Sequence, residues 1–348
     1  MAIRDMKKHT KSQRGVTLIE LMIAIVISVT LLGGLIEVYL GSKQSYNLVE
    51  ESSRLQENGR FALETMTREI RGAGFFGCLR SPDSTNLTNN LNQSSGEYSA
   101  ALHDFGEVVT GADNLTLDGA VSESDSISFG GASDSDINLN SKPGQGASEE
   151  VDPDNGLEQH DIVIVSDCVD GDIFQISNAD PSTSGNVVHN TGNPGVGNGP
   201  GNSNSSPECN VGNKHCLSKK YTDAKIYKIS RTGYDIRVGA SGNNGLFRNG
   251  VEIIENVENM QILYGEDTDG DIFHTPNQYL NATNIGDINA AITVRVSLLL
   301  RGERDLLPAD TTQNHQLLDT TITTNDRRVY KIFSTTITVR NRALIDTI

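Results

Sequence analysis

The chain has 348 residues and is acidic, with 28 Lys and Arg against 45 Asp and Glu and a formal net charge of −17. An acidic surface repels phosphate groups, so we expect the folded part of the chain to bind no nucleic acid. The sequence contains no Gly-x-Ser-x-Gly turn, phosphate-binding loop or His-Glu-x-x-His pattern. We therefore predict no enzyme, no catalytic residue and no resident cofactor. The histidines, His189 and His215 among them, lie mostly in polar stretches and are predicted to be solvated.

The N-terminal segment places a basic leader before an apolar stretch. Residues 1–15 hold five basic side chains against one acid and end in Gly15. In an ordinary secretory signal the cleavage site follows the apolar region, whereas Gly15 precedes it. We therefore predict a leader over 1–15 whose removal leaves the apolar stretch on the mature protein. The alternative is an uncleaved membrane anchor with a chance glycine.

The apolar stretch that follows is long enough to span a bilayer, which needs about 20 residues. We predict a transmembrane helix over 16–41, with its N-terminus in the cytoplasm because the leader is basic. Only Glu20 and Glu37 interrupt the apolar composition. A charge inside the bilayer costs roughly 2.5–3.5 kcal/mol on the lenient insertion scale, so Glu20 is expected to have a function.

Residues 42–73 continue the helix as an amphipathic segment. They contain no Pro, and apolar residues recur at helical spacing among charged ones. The recurring apolar positions are Leu48, Leu55, Ala62, Met66 and Ile70. The whole helix would be roughly 80 Å long at 1.5 Å per residue. We expect its second half to offer one apolar stripe to a β-rich domain over 74–348.

Alternating apolar residues predict two strands late in the chain. In 292–300 the even-numbered apolar residues share one face, and in 329–340 Phe333, Ile337 and Val339 do so. Further strands are predicted near 115–117, 126–129, 225–230 and 234–238, with a buried strand at 161–166. The predicted fold class is α+β, with a long N-terminal helix packed on an antiparallel sheet domain that carries long loops.

Two other segments give distinct expectations. Residues 177–208 are rich in Asn, Gly, Ser and Pro and are predicted to form one long, exposed and mobile loop. Residues 251–264 are rich in apolar residues and are predicted to form a helical turn followed by a strand.

The four cysteines, Cys78, Cys168, Cys209 and Cys216, all lie beyond the membrane segment. An even count in an exported domain predicts two disulfides, and three pairings are open. We favour Cys209–Cys216, which closes a short loop, with Cys78–Cys168, which ties the helix exit to a strand.

Alternating carboxylates surround a glycine at Asp267, Asp269 and Asp271. The pattern matches the first half of an oxygen-ligand calcium loop and makes Ca²⁺ a candidate ligand. The last position of a full loop requires Glu, and Gln278 stands there. The alternative is a turn, since Asp and Gly favour turns for local reasons.

Several motifs resemble known pilus proteins. Gly15 followed by Glu20 resembles the prepilin signature of type IV pilins and of type II secretion pseudopilins. RLQENGRFALE at 54–64 and GFFGC at 74–78 resemble the helix exit of PilW-family minor pilins, as does ENMQILYG at 258–265. The strand at 294–298 and the end at 338–342 also fit. Val16 departs from the Phe that most members carry there.

This resemblance implies a pilin-like fold and an assembly function. A prepilin peptidase would cut after Gly15 and methylate the new amine of Val16. Glu20 would then pair with the N-terminal amine of a neighbouring subunit. The chain would first lie in the inner membrane and then in the pilus at the cell surface of a Gram-negative bacterium. It would prime or join pilus assembly as a low-abundance, tip-proximal subunit.

The partners implied are the major pilin, other minor pilins, the prepilin peptidase and the inner-membrane assembly platform, with a large tip adhesin as a further candidate. Two alternatives stay open. One is a J-type minor pseudopilin of a type II secretion system. The other is a surface-binding adhesive tip module, which the composition of 177–208 suggests.

Overall fold

One continuous helix joins the two compact units of the molecule. The computed structural model describes residues 15–79, 85–99, 103–105, 108–114, 121, 123–133, 137–140, 148–191, 195–199, 215–269 and 275–343. The units are Met1–Ser53 and Arg54–Ile348. Helix α1 (Leu18–Gly72) runs through the boundary between them.

In the first unit, the stretch of α1 from Leu18 to Leu40 presents apolar side chains on every side, with Glu20 and Glu37 as its only charged residues. The large apolar side chains from Leu18 to Leu40 are all more than half exposed. Within the described part of the chain, α1 is the one helix long and apolar enough to cross a membrane. It continues unbroken through Gly33 and Gly34, because neighbouring turns of good helix formers outweigh the roughly 1 kcal/mol that each glycine costs.

The second unit holds the end of α1 and a β-rich domain. The strands among its described residues are β1 (Leu87–Asn89), β2 (Val109–Ala112), β3 (Ser126–Ala132), β4 (Ile137–Asn138), β5 (Ser148–Glu150), β6 (Ile162–Ser166), β7 (Gly171–Gln175), β8 (Asn186–Val188), β9 (Lys225–Val238), β10 (Asn244–Arg248), β11 (Val251–Glu255), β12 (Val257–Glu266), β13 (Gln278–Leu280), β14 (Ala291–Arg301), β15 (Thr311–Leu317), β16 (Thr320–Asp326) and β17 (Tyr330–Thr338). Two short helices, α2 (Pro181–Ser184) and α3 (Arg340–Ala343), and a 3-10 turn at Ile288–Ala290 complete the elements.

The strands form two larger sheets and two ribbons. A nine-stranded sheet runs β1-β7-β6-β9-β10-β11, with β3 and β4 also paired to β9 and β2 to β3. A four-stranded antiparallel sheet has the order β13-β12-β14-β17. The pairs β5–β8 and β15–β16 form the ribbons. The predicted α+β class is confirmed, although β1 and β7 pair in parallel.

The predicted helical stripe is buried in the main core from Leu55 onward, whereas its first position, Leu48, is only partly buried. Leu55, Ala62, Met66 and Ile70 are at most 4% exposed, and they share this core with the even-numbered residues 294–300 of β14. The alternation predicted for β17 is also confirmed, since Ile337 is buried while its neighbours are exposed. Burying a Leu, Ile or Met side chain stabilises a fold by about 1.5–3 kcal/mol, so the stripe fixes this end of α1 to its domain.

Strand β6 separates the main core from a second core. Ile164 faces the main core, whereas Val163 and Val165 face the second one together with Phe174 and Ile226. Both faces of β6 are therefore covered, which explains why its sequence is continuously apolar rather than alternating. The predicted buried strand at 161–166 is confirmed.

Two predictions about local structure are wrong. Residues 251–264 form no helical turn but the strands β11 and β12, because β-branched residues extend the chain and Asn256 bends it with a positive φ of 60°. The predicted loop over 177–208 holds α2 and β8, and Val187 and Val196 in it are buried. Its residues 192–194 and 200–208, like the strand predicted at 115–117, lie outside the described residues.

Candidate functional site

The start of α1 is a capping box built by Thr17 and Glu20. The backbone N–H of Glu20 donates to the hydroxyl of Thr17 (3.3 Å), and the N–H of Thr17 donates to Oε2 of Glu20 (3.1 Å). The Thr17 hydroxyl also donates to Oε2 (3.2 Å). Two N–H groups that a helix start leaves without intrahelical partners are thus satisfied by the helix's own side chains.

This arrangement leaves half of the Glu20 carboxylate available. All three bonds use Oε2 or the Thr17 hydroxyl, and within the described residues Oε1 accepts no hydrogen bond. Glu20 is exposed, and Val16 beside it is 73% exposed. The helix macrodipole favours a carboxylate at this end. Oε1 can therefore accept a bond from a cationic group outside the chain.

The apolar surface that follows Glu20 needs a partner. Between Leu18 and Leu40, sixteen residues of α1 present exposed large apolar side chains. A patch of this size exceeds what soluble monomers expose and marks contact with lipid or with other protein. The N-terminal end of α1 therefore offers one hydrogen-bond acceptor, Oε1 of Glu20, directly before a long apolar helical surface.

At the helix exit, a glycine and an ion pair fix α1 to the sheets. The Phe333 ring of β17 lies so close to Gly59 that a Cβ there would be 2.5 Å from the ring. Further along, Glu69 binds Arg248 (3.0 Å) and accepts a hydrogen bond from the Tyr234 hydroxyl (2.5 Å). Through these contacts α1 is held against β9, β10 and β17.

The turn after α1 is held just as closely. Gly74 and Gly77 have φ of +74° and +68°, a region that suits glycine, and the ring of Tyr227 fills the place of a Gly77 side chain. Cys78 follows at once and bonds Cys168. The turn thus connects the helix to the nine-stranded sheet both by packing and by a covalent bond.

In β12, the segment 258–264 divides its residues between core and polar contacts. Glu258 pairs with Arg301 (2.7 Å). Asn259 and Gln261 both donate to the backbone carbonyl of Glu123 (2.9 and 2.7 Å), while the even-numbered residues 260–264 are buried in the main core. Alternation between these two functions explains the mixed polar and apolar composition of the segment.

Two family models match the chain. Residues 221–341 match the type IV pilus-assembly protein W family, and residues 10–36 match the prokaryotic N-terminal methylation motif. The chain is a PilW-like protein of the prepilin type. No curated protein and no solved structure gives a match. The matched part covers β9 to β17 and leaves out the helix exit at 54–78.

The methylation motif and the long apolar helix indicate the cellular location of this PilW-like chain. The protein is anchored in the membrane by α1 and belongs to the pilus-assembly machinery of the cell envelope. It is a pilin-like protein associated with the type IV pilus, and the matched family consists of structural pilus-assembly components.

One of the two predicted disulfides lies within the described residues. Cys78 and Cys168 are bonded across 90 residues of sequence. Cys216 is also disulfide-bonded. Cys209 lies outside the described residues, so the pairing of Cys209 with Cys216 stays a prediction.

The predicted calcium loop is only partly described. The backbone N–H of Asp269 donates to Oδ1 of Asp267 (3.3 Å), as in the alternative reading of the motif as a turn. Asp271 lies outside the described residues. In the described part of the chain, no group of three His, Cys, Asp or Glu side chains could hold a metal ion. Calcium binding stays a prediction.

Two histidines predicted to be solvated are buried. The Nδ1 atoms of His189 and His215 lie 2.8 Å apart in a hydrogen bond, and both rings are fully buried. Burial lowers the pKa of His189 to about 3, with a smaller effect of His215, and lowers that of His215 to about 4. The Val-Val pair before His189 is the one local sign of a buried strand, but the surrounding Asn and Gly residues give the segment the composition of a loop.

Proposed function

We propose that this chain is a minor pilin that is cut after Gly15, methylated at Val16, and primes or joins a type IV pilus as a low-abundance, tip-proximal subunit. The observation that carries the proposal is Glu20, whose Oε1 is available at the head of an exposed apolar helix. In this function residues 1–15 are the leader, 16–41 lie in the membrane and later in the filament core, and 42–73 carry the domain over 74–348.

The electrostatics of Glu20 support a pair between subunits. A lone carboxylate in lipid costs roughly 2.5–3.5 kcal/mol, and the helix cap satisfies only one of its oxygens. Cleavage after Gly15 would create a cationic amine at Val16. An amine of a neighbouring subunit would bind Oε1, and each charge would offset the desolvation of the other. The pair would therefore form only when subunits assemble, and it would set their register.

Two substitutions separate the charge of Glu20 from its function in the helix cap. Glu20→Gln keeps a capping-box side chain but removes the charge, whereas Thr17→Val removes the cap hydroxyl and keeps the carboxylate. We expect both variants to be cleaved, which a shifted band on a gel would show. Recovery of Glu20→Gln in sheared filaments should fall at least about tenfold. Recovery of Thr17→Val should fall only a few-fold, because a cap is worth about 1 kcal/mol.

The result that overturns the proposal is equal recovery of Glu20→Gln and the unaltered chain. A larger loss for Thr17→Val than for Glu20→Gln would assign the function of Glu20 to capping alone. Deletion of the gene distinguishes a type IV pilus subunit from a pseudopilin of a type II secretion system. Loss of pili supports the pilus subunit, whereas retained pili with lost protein secretion would indicate a pseudopilin.

A further inference from the structure

Among the described strands, β17 is the longest edge strand of the two larger sheets. All nine of its residues pair with β14 in one unbroken antiparallel register, from Thr293–Thr338 to Arg301–Tyr330. No other described strand pairs with its outer side. The remaining edge strands of these sheets, β1, β2, β4, β11 and β13, have only two to five residues each.

The hydrogen bonds at its two ends show which backbone groups of β17 point outward. The N–H of Val339 donates to Ile292 (2.9 Å), and the N–H of Gly302 donates to Val329 (2.7 Å). Opposite residues in an antiparallel pair alternate between bonded and non-bonded pairs, so the odd-numbered residues bond to β14. The N–H and C=O groups of Ile332, Ser334 and Thr336 therefore point outward. Among the described residues, none donates to or accepts from them.

This edge lacks the features by which proteins usually prevent strand pairing. It contains no Pro and no bulge, and its one charged side chain, Lys331, lies at one end over the Phe333 ring. By contrast, the edge strand β11 carries Glu252 and Glu255. A long neutral edge on a chain of net charge −17 can approach another strand without strong repulsion.

We propose that β17 accepts an extended segment of a different pilus subunit as a fifth strand of its sheet. This inference rests on the proposed function, which supplies neighbouring subunits. The segment should be neutral and rich in β-branched residues, with apolar side chains beside Phe333 and Ile337 and small polar ones beside Ser334. Main-chain bonds would give affinity, and these side-chain pairs would select the partner.

A second copy of this chain fits less well than a different subunit. Each copy of the chain carries a net charge of −17, so two copies that pair through β17 bring two acidic domains side by side. A neutral extended segment of another subunit can pair with the same edge without that repulsion.

Proline substitutions at outward positions test the proposal in cells that express the full chain. Thr336→Pro removes an outward N–H and leaves the bonds to β14 intact, whereas its matched control Thr336→Val keeps that N–H. Both variants lose the hydrogen bond from Arg295 to the Thr336 hydroxyl (3.4 Å). We expect Thr336→Pro to be recovered in sheared filaments about tenfold less than Thr336→Val. The pair Ile332→Pro and Ile332→Val should repeat this difference.

Folding is checked on the same samples. Each Pro variant should form the Cys78–Cys168 disulfide and melt within a few degrees of its control, whereas Thr335→Pro, which removes an N–H that bonds β14, should melt much lower. Equal recovery of folded Pro and Val variants overturns the proposal. Absence of the unaltered chain from filaments instead overturns the proposed function. A disulfide-linked species of twice the chain mass in Ser334→Cys would show a second copy at this edge and would also overturn the proposal.

Discussion

Glu149 should make the stability of this protein depend on pH in an unusual direction. The side chain is 1% exposed in β5, and among the described residues neither of its carboxylate oxygens has a hydrogen-bond partner. Burial raises the pKa of Glu149 from its usual 4.5 to about 8. The carboxyl group is therefore uncharged in the folded state at neutral pH, although it would be charged in the unfolded chain.

The sign and size of the effect follow from proton binding. Between pH 4.5 and 8 the folded state binds one more proton than the unfolded state, so stability falls as pH rises through this window. A shift from 4.5 to about 8, at 1.36 kcal/mol per pH unit, gives a loss of up to about 5 kcal/mol. The histidine pair acts in the opposite direction, because its lowered pKa values make stability fall as pH drops below about 6.5.

The variant Glu149→Gln isolates this contribution, since the amide does not titrate and the histidines act equally in both proteins. We expect denaturant unfolding of the full chain in detergent to show the variant near the unaltered protein at pH 5 and several kcal/mol more stable at pH 8. A difference between the two proteins that stays constant from pH 5 to pH 8 would refute the reasoning. It would show that the Glu149 carboxylate ionises at its ordinary pH in the folded state.

Three further substitutions test the attachment of α1 to its domain by thermal or denaturant unfolding. Gly59→Ala should cost about 1–3 kcal/mol by crowding the Phe333 ring, and a smaller residue at 333 should recover part of that loss; an unchanged midpoint would mean that the ring moves freely. Glu69→Gln should cost about 1–3 kcal/mol because it leaves Arg248 without its charge partner, whereas Glu64→Gln, at an exposed pair, should cost almost nothing; equal costs would contradict the difference in burial. Cys78→Ser should cost about 2–5 kcal/mol by opening a loop of 90 residues, and a protein that unfolds as before would show that the bond adds no stability.

The elements that can be predicted well from the sequence are those in which apolar residues recur at a regular spacing. The apolar stripe of α1 from Leu55 to Ile70 and the alternation in β14 and β17 each repeat over many residues, so local errors average out. The strand β6 was recognisable because both of its faces are buried. Residues 251–264 were assigned wrongly at their start, since a short apolar run fits a helical turn and a strand equally well.

The polar contacts of the site were less accessible from sequence. The acceptors for Asn259 and Gln261 lie on a segment about 136 residues earlier, and nothing in the local pattern indicates that contact. The buried His189 lies in a stretch whose composition is typical of loops. Burial of polar groups depends on which strands meet, and sequence periodicity indicates only which residues share a face.

The capping box lowers the free-energy cost of placing the Glu20 carboxylate in the apolar segment. A charge inside the apolar segment suggests a residue that is unfavourable until a partner arrives, yet Oε2 already accepts two hydrogen bonds from Thr17. The monomer therefore holds a partly stabilised carboxylate, and the proposed pairing between subunits would have to supply a partner only for Oε1. Because the same side chain orders the first turn of α1, the position of Oε1 would be fixed before a neighbour arrives. A fixed acceptor loses less conformational entropy on pairing than a free side chain, which would favour the proposed assembly over a lone subunit in the membrane.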